Sequence, residues 1–326
     1  MGWNELEIHR WLEQSPRPAV LDGSTGHDAA VLKALAGRPV WCTDQVVEGV
    51  HLTERETPRW IGTKVVGRAL SDLAACGATP VAILLTLALP EHWSSRQVKS
   101  AIGRARDRAE QDGADLVGGD LTSTVGPALA SASALGVLPG RRRAVGRDRA
   151  RVGQAVLLTG AVGGSLLGRH RDPRARLEAG RQLVGGGATA MIDVSDGLGL
   201  DLTRLARASG VALDVELDAI PLHAQAVRMA RRSGRSALLH GLTDGEDHEL
   251  IACLPVRSAE RLIEQGLAEC PRARIIGRVR RGSRVRWLDP DGEEVAAPSE
   301  LGWVHGAPAH GARKSGSAGG RRRLGE

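Results

Sequence analysis

The stretch Ala190-Met191-Ile192-Asp193-Val194-Ser195-Asp196-Gly197-Leu198 decides how this chain is read. It opens on apolar residues, as a buried strand does, and then delivers two carboxylates and a hydroxyl within four residues, followed by a glycine. After Asp196 the apolar residues change to helical spacing, at Leu198, Leu202, Leu205 and Ala206, with Gly210 as a stop. Two acids therefore stand where a strand meets a helix. A bare carboxylate pair there repels itself and loses its water. A divalent cation removes both costs and leaves open positions for phosphate oxygens. A plainer reading makes Asp196 a helix N-cap and Asp193 a strand-end acid.

Working outward, the same arrangement recurs. Gly26-His27-Asp28-Ala29-Ala30-Val31-Leu32 sets an acid before an apolar pair, and an expected strand over residues 40–43 ends in Asp44, with His51 close behind. A helix expected over residues 57–77 starts at Thr57-Pro58 and buries Ile61, Val65, Ala69 and Leu73. It carries Asp72 among apolar neighbours, where a charge is costly unless paired. Asp115-Leu116-Val117-Gly118-Gly119-Asp120 is again strand, glycines, acid. In the second half, a strand over 155–160 and the acidic turn Asp244-Gly245-Glu246-Asp247-His248-Glu249 precede strands over 274–279 and 284–288. Strands and helices mix without a strict βαβ repeat. The expectation is an α+β chain of two mixed α/β domains, residues 1–140 and 150–305, divided by the arginine-rich stretch 140–151.

Composition narrows the class. The 326 residues suffice for two domains and a sizeable core. No apolar run reaches membrane-spanning length and the N-terminus is no signal peptide, so a cytoplasmic protein is expected. The four cysteines contain no C-x-x-C pair, against both a zinc ribbon and a disulfide framework. The net charge of +6 sits largely in residues 306–326, which carry five basic residues and one acid among Gly, Ser and Ala. That segment reads as a disordered basic tail rather than a module for specific nucleic-acid binding. The chain has no Phe or Tyr, so its core must rest on Leu, Val, Ile and Ala.

Six acids in similar settings, Asp28, Asp44, Asp72, Asp120, Asp193 and Asp196, suggest one convergent site. Hard oxygen donors without cysteine favour Mg²⁺ over zinc, and Mg²⁺ on carboxylates usually brings phosphates. Neither G-x-x-x-x-G-K-[ST] nor a G-x-G-x-x-G after a strand is present, so a nucleotide would be held through metal, glycine amides and arginine.

The segments Gly-x-Asp-Ala-Ala-Val-Leu, Thr-Asp-x-x-x-Glu-Gly-x-His, Leu-Ser-Asp-Leu-Ala-Ala-x-Gly-Ala, Gly-Gly-Asp, Ile-Asp-x-Ser-Asp-Gly-Leu and Gly-Glu-Asp-x-Glu-Leu occur in that order. Over roughly residues 5–305 the chain thereby resembles the thiamine-monophosphate kinase family, within the aminoimidazole-ribonucleotide-synthetase-like superfamily. The resemblance implies ATP-dependent phosphorylation of thiamine monophosphate to thiamine diphosphate. It also implies an N-terminal domain that binds ATP and Mg²⁺ and forms a homodimer. It makes Asp28, Thr43, Asp44, Asp72, Asp120, Asp193 and Asp196 metal ligands, with Cys42 at a position that is often Ser in the family. Gly119, Asp120, Arg147 and Ser195 become ATP contacts, and His51, Glu246 and Trp303 contacts to thiamine monophosphate. No general base is expected, because the acceptor phosphate oxygen is already anionic. The departures are His27 in place of a second acid, His248 where the family has an aromatic, and Leu52 after His51. Two alternatives remain: a related enzyme with another acceptor, and an impaired relative that only binds nucleotide.

Overall fold

The structure, a computed structural model, describes residues 2–22, 29–140 and 143–304. Asp28, His27 and the basic tail lie outside the described residues.

The chain begins with helix α1 (Glu5–Glu13), capped by the Asn4 side chain accepting the Glu7 N–H. Then come strand β1 (Arg38–Val47), helix α2 (Thr57–Cys76), β2 (Thr79–Pro90), α3 (Ser95–Gln111), β3 (Asp115–Thr124) and β4 (Leu129–Leu138). The four strands form one sheet in the order β1-β4-β2-β3, antiparallel except for the parallel β2–β3 pair. Ser94 and Gln97 close a reciprocal capping box at the start of α3. The start of α2 is capped differently from the sequence expectation. Glu56 is its N-cap, Thr57 its first residue, and Pro58 fits the first turn.

The second sheet is drawn from β5 (Ala155–Leu158), β6 (Ala190–Asp193), β7 (Ala212–Glu216), β8 (Leu250–Leu254), β9 (Arg274–Arg280), β10 (Val285–Leu288) and β11 (Glu294–Val295). Its order is β11-β10-β7-β9-β5-β8-β6. The helices of this half are α4 (Leu177–Gly185), α5 (Leu198–Ser209), α6 (Ala224–Ser233), α7 (Ala237–Thr243) and α8 (Val256–Gln265). Helix α4 is preceded by two short 3-10 turns, residues 165–167 and 169–171.

Alternation along the second sheet feeds two cores. Leu157, Met191, Leu250 and Ala252 pack with α2 and the first sheet, whereas Val156, Leu158, Ile192 and Ile251 pack with Leu202, Leu205 and Trp287. Helix α2 thus lies between the two sheets. It buries Ile61, Val65, Ala69 and Leu73, as its spacing predicts, and Lys64, Val66, Leu70 and Ser71 as well. A helix apolar on one stripe would leave one side in water; this one meets protein on nearly every side. No described helix is long and apolar enough to cross a membrane.

Candidate active site

The turn after β6 is built by backbone bonds from three segments. Val194 N–H donates to the Glu249 carbonyl (2.7 Å), Glu246 N–H to the Ser195 carbonyl (2.7 Å), and Trp303 N–H to the Asp196 carbonyl (2.7 Å). Gly302 is required here, since a Cβ on it would stand 2.3 Å from the Asp196 carbonyl oxygen. The cap that the plainer reading assigns to Asp196 is supplied by another residue. The N-cap of α5 is Gly197, and it is the fully buried Asp201 whose Oδ2 accepts the N–H groups of Ser195 and Asp196, at 3.1 Å each. Arg204 bridges Asp201 and Asp196. Burial first, then the charges of Asp193 and Asp196, pushes the Asp201 carboxyl up to about 7.

Helix α2 presents a polar stripe to this turn: Lys64, Arg68, Ser71 and Asp72, spaced one turn apart along one side. Ser71 Oγ donates to Asp193 Oδ2 (2.7 Å). Arg68 grips both oxygens of Asp44 (3.1 and 3.0 Å) and donates to Glu246 Oε1 (3.0 Å). Lys64, wholly buried, donates to Glu246 Oε2 (2.6 Å) and to the His51 carbonyl (2.8 Å). Burial lowers the Lys64 ammonium to about 8 despite its Glu246 partner. Glu246 itself is held below its ordinary range, because Lys64 and Arg68 outweigh its burial. Asp193 also stays low: burial opposes it, but His248, Ser71 and Arg68 prevail. His248 Nδ1 stands 3.4 Å from Asp193 Oδ2, an ion-pair separation, and neither ring nitrogen has a hydrogen-bond partner among the described residues.

Asp72 differs from its neighbours. Its carboxyl has no hydrogen bond or ion pair among the described residues. Burial, then Asp193 and Asp44, pushes it up to about 7, against the weaker pull of Arg68 and Arg147. Arg147 reaches this point because the Met191 N–H donates to the Gly146 carbonyl (3.0 Å), which lays the chain beside β6. Cys42 packs below, its thiol donating to the Ala69 carbonyl (3.1 Å) and pushed up to about 12 by burial.

The remaining residues are placed elsewhere. Asp44 and Asp120 lie within strands rather than at their ends. Asp44, Ala132, Leu85 and Gly119 form one row across the first sheet, so Gly119 is three strand spacings, about 14 Å, from Asp44. Asp120 pairs with the exposed Thr86 and shares its face, the face also carrying Thr43, which hydrogen-bonds Ser131 and Ser133. Gly119 has a packing reason of its own: a Cβ there would stand 1.7 Å from the Leu85 carbonyl oxygen. Among the described residues no three of His, Cys, Asp or Glu close around a single point as metal ligands. The structure thus groups Asp44, Asp72 and Asp193 with Arg147, His51 and Glu246. It sets Asp196 and Ser195 on the adjoining turn, and leaves Thr43 and Asp120 on the far face of the sheet and Gly119 on its edge strand. Trp303, 53% exposed, follows Gly302 over the turn. Sequence reasoning missed Lys64, Arg68 and Asp201. The signal for the first two was present: a Lys, an Arg and an Asp at successive i, i+4 positions in an otherwise apolar helix.

The two mixed domains are those of the AIR synthase related class. The N-terminal domain of that family matches residues 26–138 and its C-terminal domain residues 151–288. The thiamine-monophosphate kinase of Rhodopirellula baltica is 37% identical, over 82% of this chain and 84% of its own length. The crystal structure of thiamine-monophosphate kinase from Stenotrophomonas maltophilia K279a is 31% identical, with a TM-score of 0.73 over 90% of this chain and 99% of that one. AaThiL complexed with AMPPCP and TMP gives 26% identity and a TM-score of 0.72 over 92% of this chain and 95% of that one. The chain belongs to the thiamine-monophosphate kinase family.

Proposed function

We propose that the grouped acids and cations around Asp72 form the phosphoryl-transfer site of an ATP-dependent thiamine-monophosphate kinase. The observation that carries this is the state of Asp72. It is a half-buried carboxyl without a hydrogen-bond partner among the described residues, close to two further carboxylates, whose proton is held up to about 7. A fold has no use for such repulsion unless a cation relieves it. Asp44, Asp72 and Asp193 fit Mg²⁺ in donor type, and Thr43, Asp120 and Asp196, with Asp28 outside the described residues, are proposed to complete the ligand sets. Bound there, Mg²⁺ would screen the repulsion between two phosphate chains and hold them in line.

The chain's own groups do the rest. Arg147 and the Ser195 turn face ATP phosphates, and Gly119 and Asp120 of the edge strand β3 belong to the nucleotide side. Glu246 and His51 meet thiamine monophosphate. Lys64 and Arg68 fix the Glu246 carboxylate, leaving its remaining lone pairs for the cationic thiamine rings. No side chain need remove a proton, because the acceptor is a phosphate oxygen. The first domain is proposed to dimerise through the outer sheet face, where Trp41 is 65% exposed on the face that also carries Thr43 and Thr86. A cytoplasmic location fits this chemistry.

Coupled measurement of ADP release with thiamine monophosphate, a purine-pathway ribonucleotide and selenide as separate acceptors tests the reading. Release only with thiamine monophosphate is the expected result; release with another acceptor, or with none, sinks it. Trp303→Leu should raise the KM for thiamine monophosphate by about tenfold and leave that for ATP nearly unchanged, since an indole over a cationic ring contributes about 1 kcal/mol or more. Equal changes in both constants would make Trp303 a packing residue.

A further inference from the structure

Outside this site, α6 and α7 bring together a serine, a histidine and an aspartate. Ser233, the last residue of α6, has its Oγ 2.7 Å from His240 Nε2, and His240 Nδ1 lies 3.0 Å from Asp244 Oδ1. His240 is 4% exposed, while Ser233 is open to solvent. The Gly164 N–H donates to Asp244 Oδ2 (2.8 Å) and fixes the carboxylate. The Arg235 N–H donates to Ser233 Oγ (3.1 Å).

A carboxylate only accepts, so His240 Nδ1 carries a hydrogen toward Asp244, and in the neutral ring Nε2 is then the acceptor. In that form Ser233 O–H donates to Nε2, and its oxygen, which also accepts the Arg235 N–H, retains a second lone pair. That is the arrangement of a serine nucleophile with its base and the base's orienting acid. A buried imidazole needs partners for both nitrogens, and a plain helix–helix staple would satisfy that need too. The staple reading, however, leaves Ser233 no more reactive than any other surface hydroxyl.

We infer that Ser233, His240 and Asp244 form a second reactive site, one that takes small activated acyl or phosphonyl compounds. With an activated ester, Ser233 Oγ bonds to the carbonyl carbon and its proton passes to His240 Nε2. The ester C–O bond breaks and the leaving alcohol takes that proton. Water then releases the acid and regenerates the serine. A phosphonofluoridate follows the first half only: the Oγ–P bond forms, the P–F bond breaks, fluoride leaves, and the proton passes through His240 to solvent. The site lies on the surface, so small reagents reach it without a cleft.

The test is to treat the purified full-length chain with a fluorophosphonate probe and map the adduct by peptide mass spectrometry. Ser236 is the internal control, because it too is exposed but among the described residues its Oγ only accepts the Leu239 N–H (3.1 Å). Ser233 should react about a hundredfold faster than Ser236, the gain expected of a positioned base. His240→Gln should remove that advantage, and Ser233→Ala should abolish labelling while leaving kinase turnover unchanged. No adduct at Ser233, or labelling no faster than at Ser236, would leave the cluster a staple and overturn the inference, whether or not the His240 variant folds.

Discussion

Asp72→Asn should lower kinase turnover by about a hundredfold or more and at the same time raise the melting temperature of the metal-free protein at pH 8. The two effects have one cause. As a proposed ligand, Asp72 contributes a full negative charge that asparagine lacks, and the two phosphate chains depend on the cation it helps hold. In the metal-free protein the same charge is a liability. Its folded-state value of about 7 stands above the ordinary 3.8. Between those values the folded chain keeps a proton that the unfolded chain has lost. Stability from this group is therefore complete below pH 3.8 and drains away as pH rises toward 7. At pH 8 the wild type bears the whole penalty, roughly 2 kcal/mol once solvent screening is allowed for, and asparagine bears none. Melting in chelator at pH 4 and at pH 8, alongside turnover against Mg²⁺ concentration, reads both arms. A variant that loses turnover but melts lower at pH 8 would show Asp72 to be a structural acid. One that keeps turnover would remove the metal reading altogether.

Much of the architecture was legible because the early elements speak plainly. The β2 and α3 segments are long, and the capping box of Ser94 and Gln97 marks a boundary by itself. Helices α6 and α8 were not, since each buries only one residue fully, although α8 does carry a stripe of Val256, Ala259, Leu262 and Ile263 packed on the core. The site was legible as residue types but not as partners. The carboxylates that end and follow β6 announce chemistry, yet nothing local says that Arg204 pairs with Asp196 or that Asp201, five residues on, takes the cap. Nor can a strand's sequence tell which face carries an acid. One residue of register separates Asp44, turned to α2, from Thr43, turned outward, and pairing across β4 decides it.

The segment Gly245-Glu246-Asp247-His248-Glu249 shows how the fold maintains strain at this site. Glu246 and His248 both have left-handed backbones, φ 61° and 53°, which cost about 1–3 kcal/mol each in residues other than glycine. Glu249 anchors the end of the segment: 3% exposed, it accepts from Thr159 Oγ1 (2.6 Å) and from Arg176 Nε (3.0 Å), and pairs with the Arg176 guanidinium. Arg176→Met removes the only cation in contact with that carboxylate among the described residues. An unpaired charge is then left where water cannot reach it, a loss of about 3–5 kcal/mol and roughly 10 °C of melting temperature. The double variant Arg176→Met, Glu249→Gln should recover most of that stability, because the neutral amide no longer needs a cation and can still accept the Thr159 hydroxyl. It should not recover full turnover, since a weaker anchor frees Glu246 to leave its left-handed backbone and its grip on Lys64 and Arg68. Thermal melts and KM for thiamine monophosphate across the two single variants and the double variant separate these effects. If Arg176→Met melts within about 2 °C of wild type, the carboxylate has found water or a proton, and the segment is not held from this end.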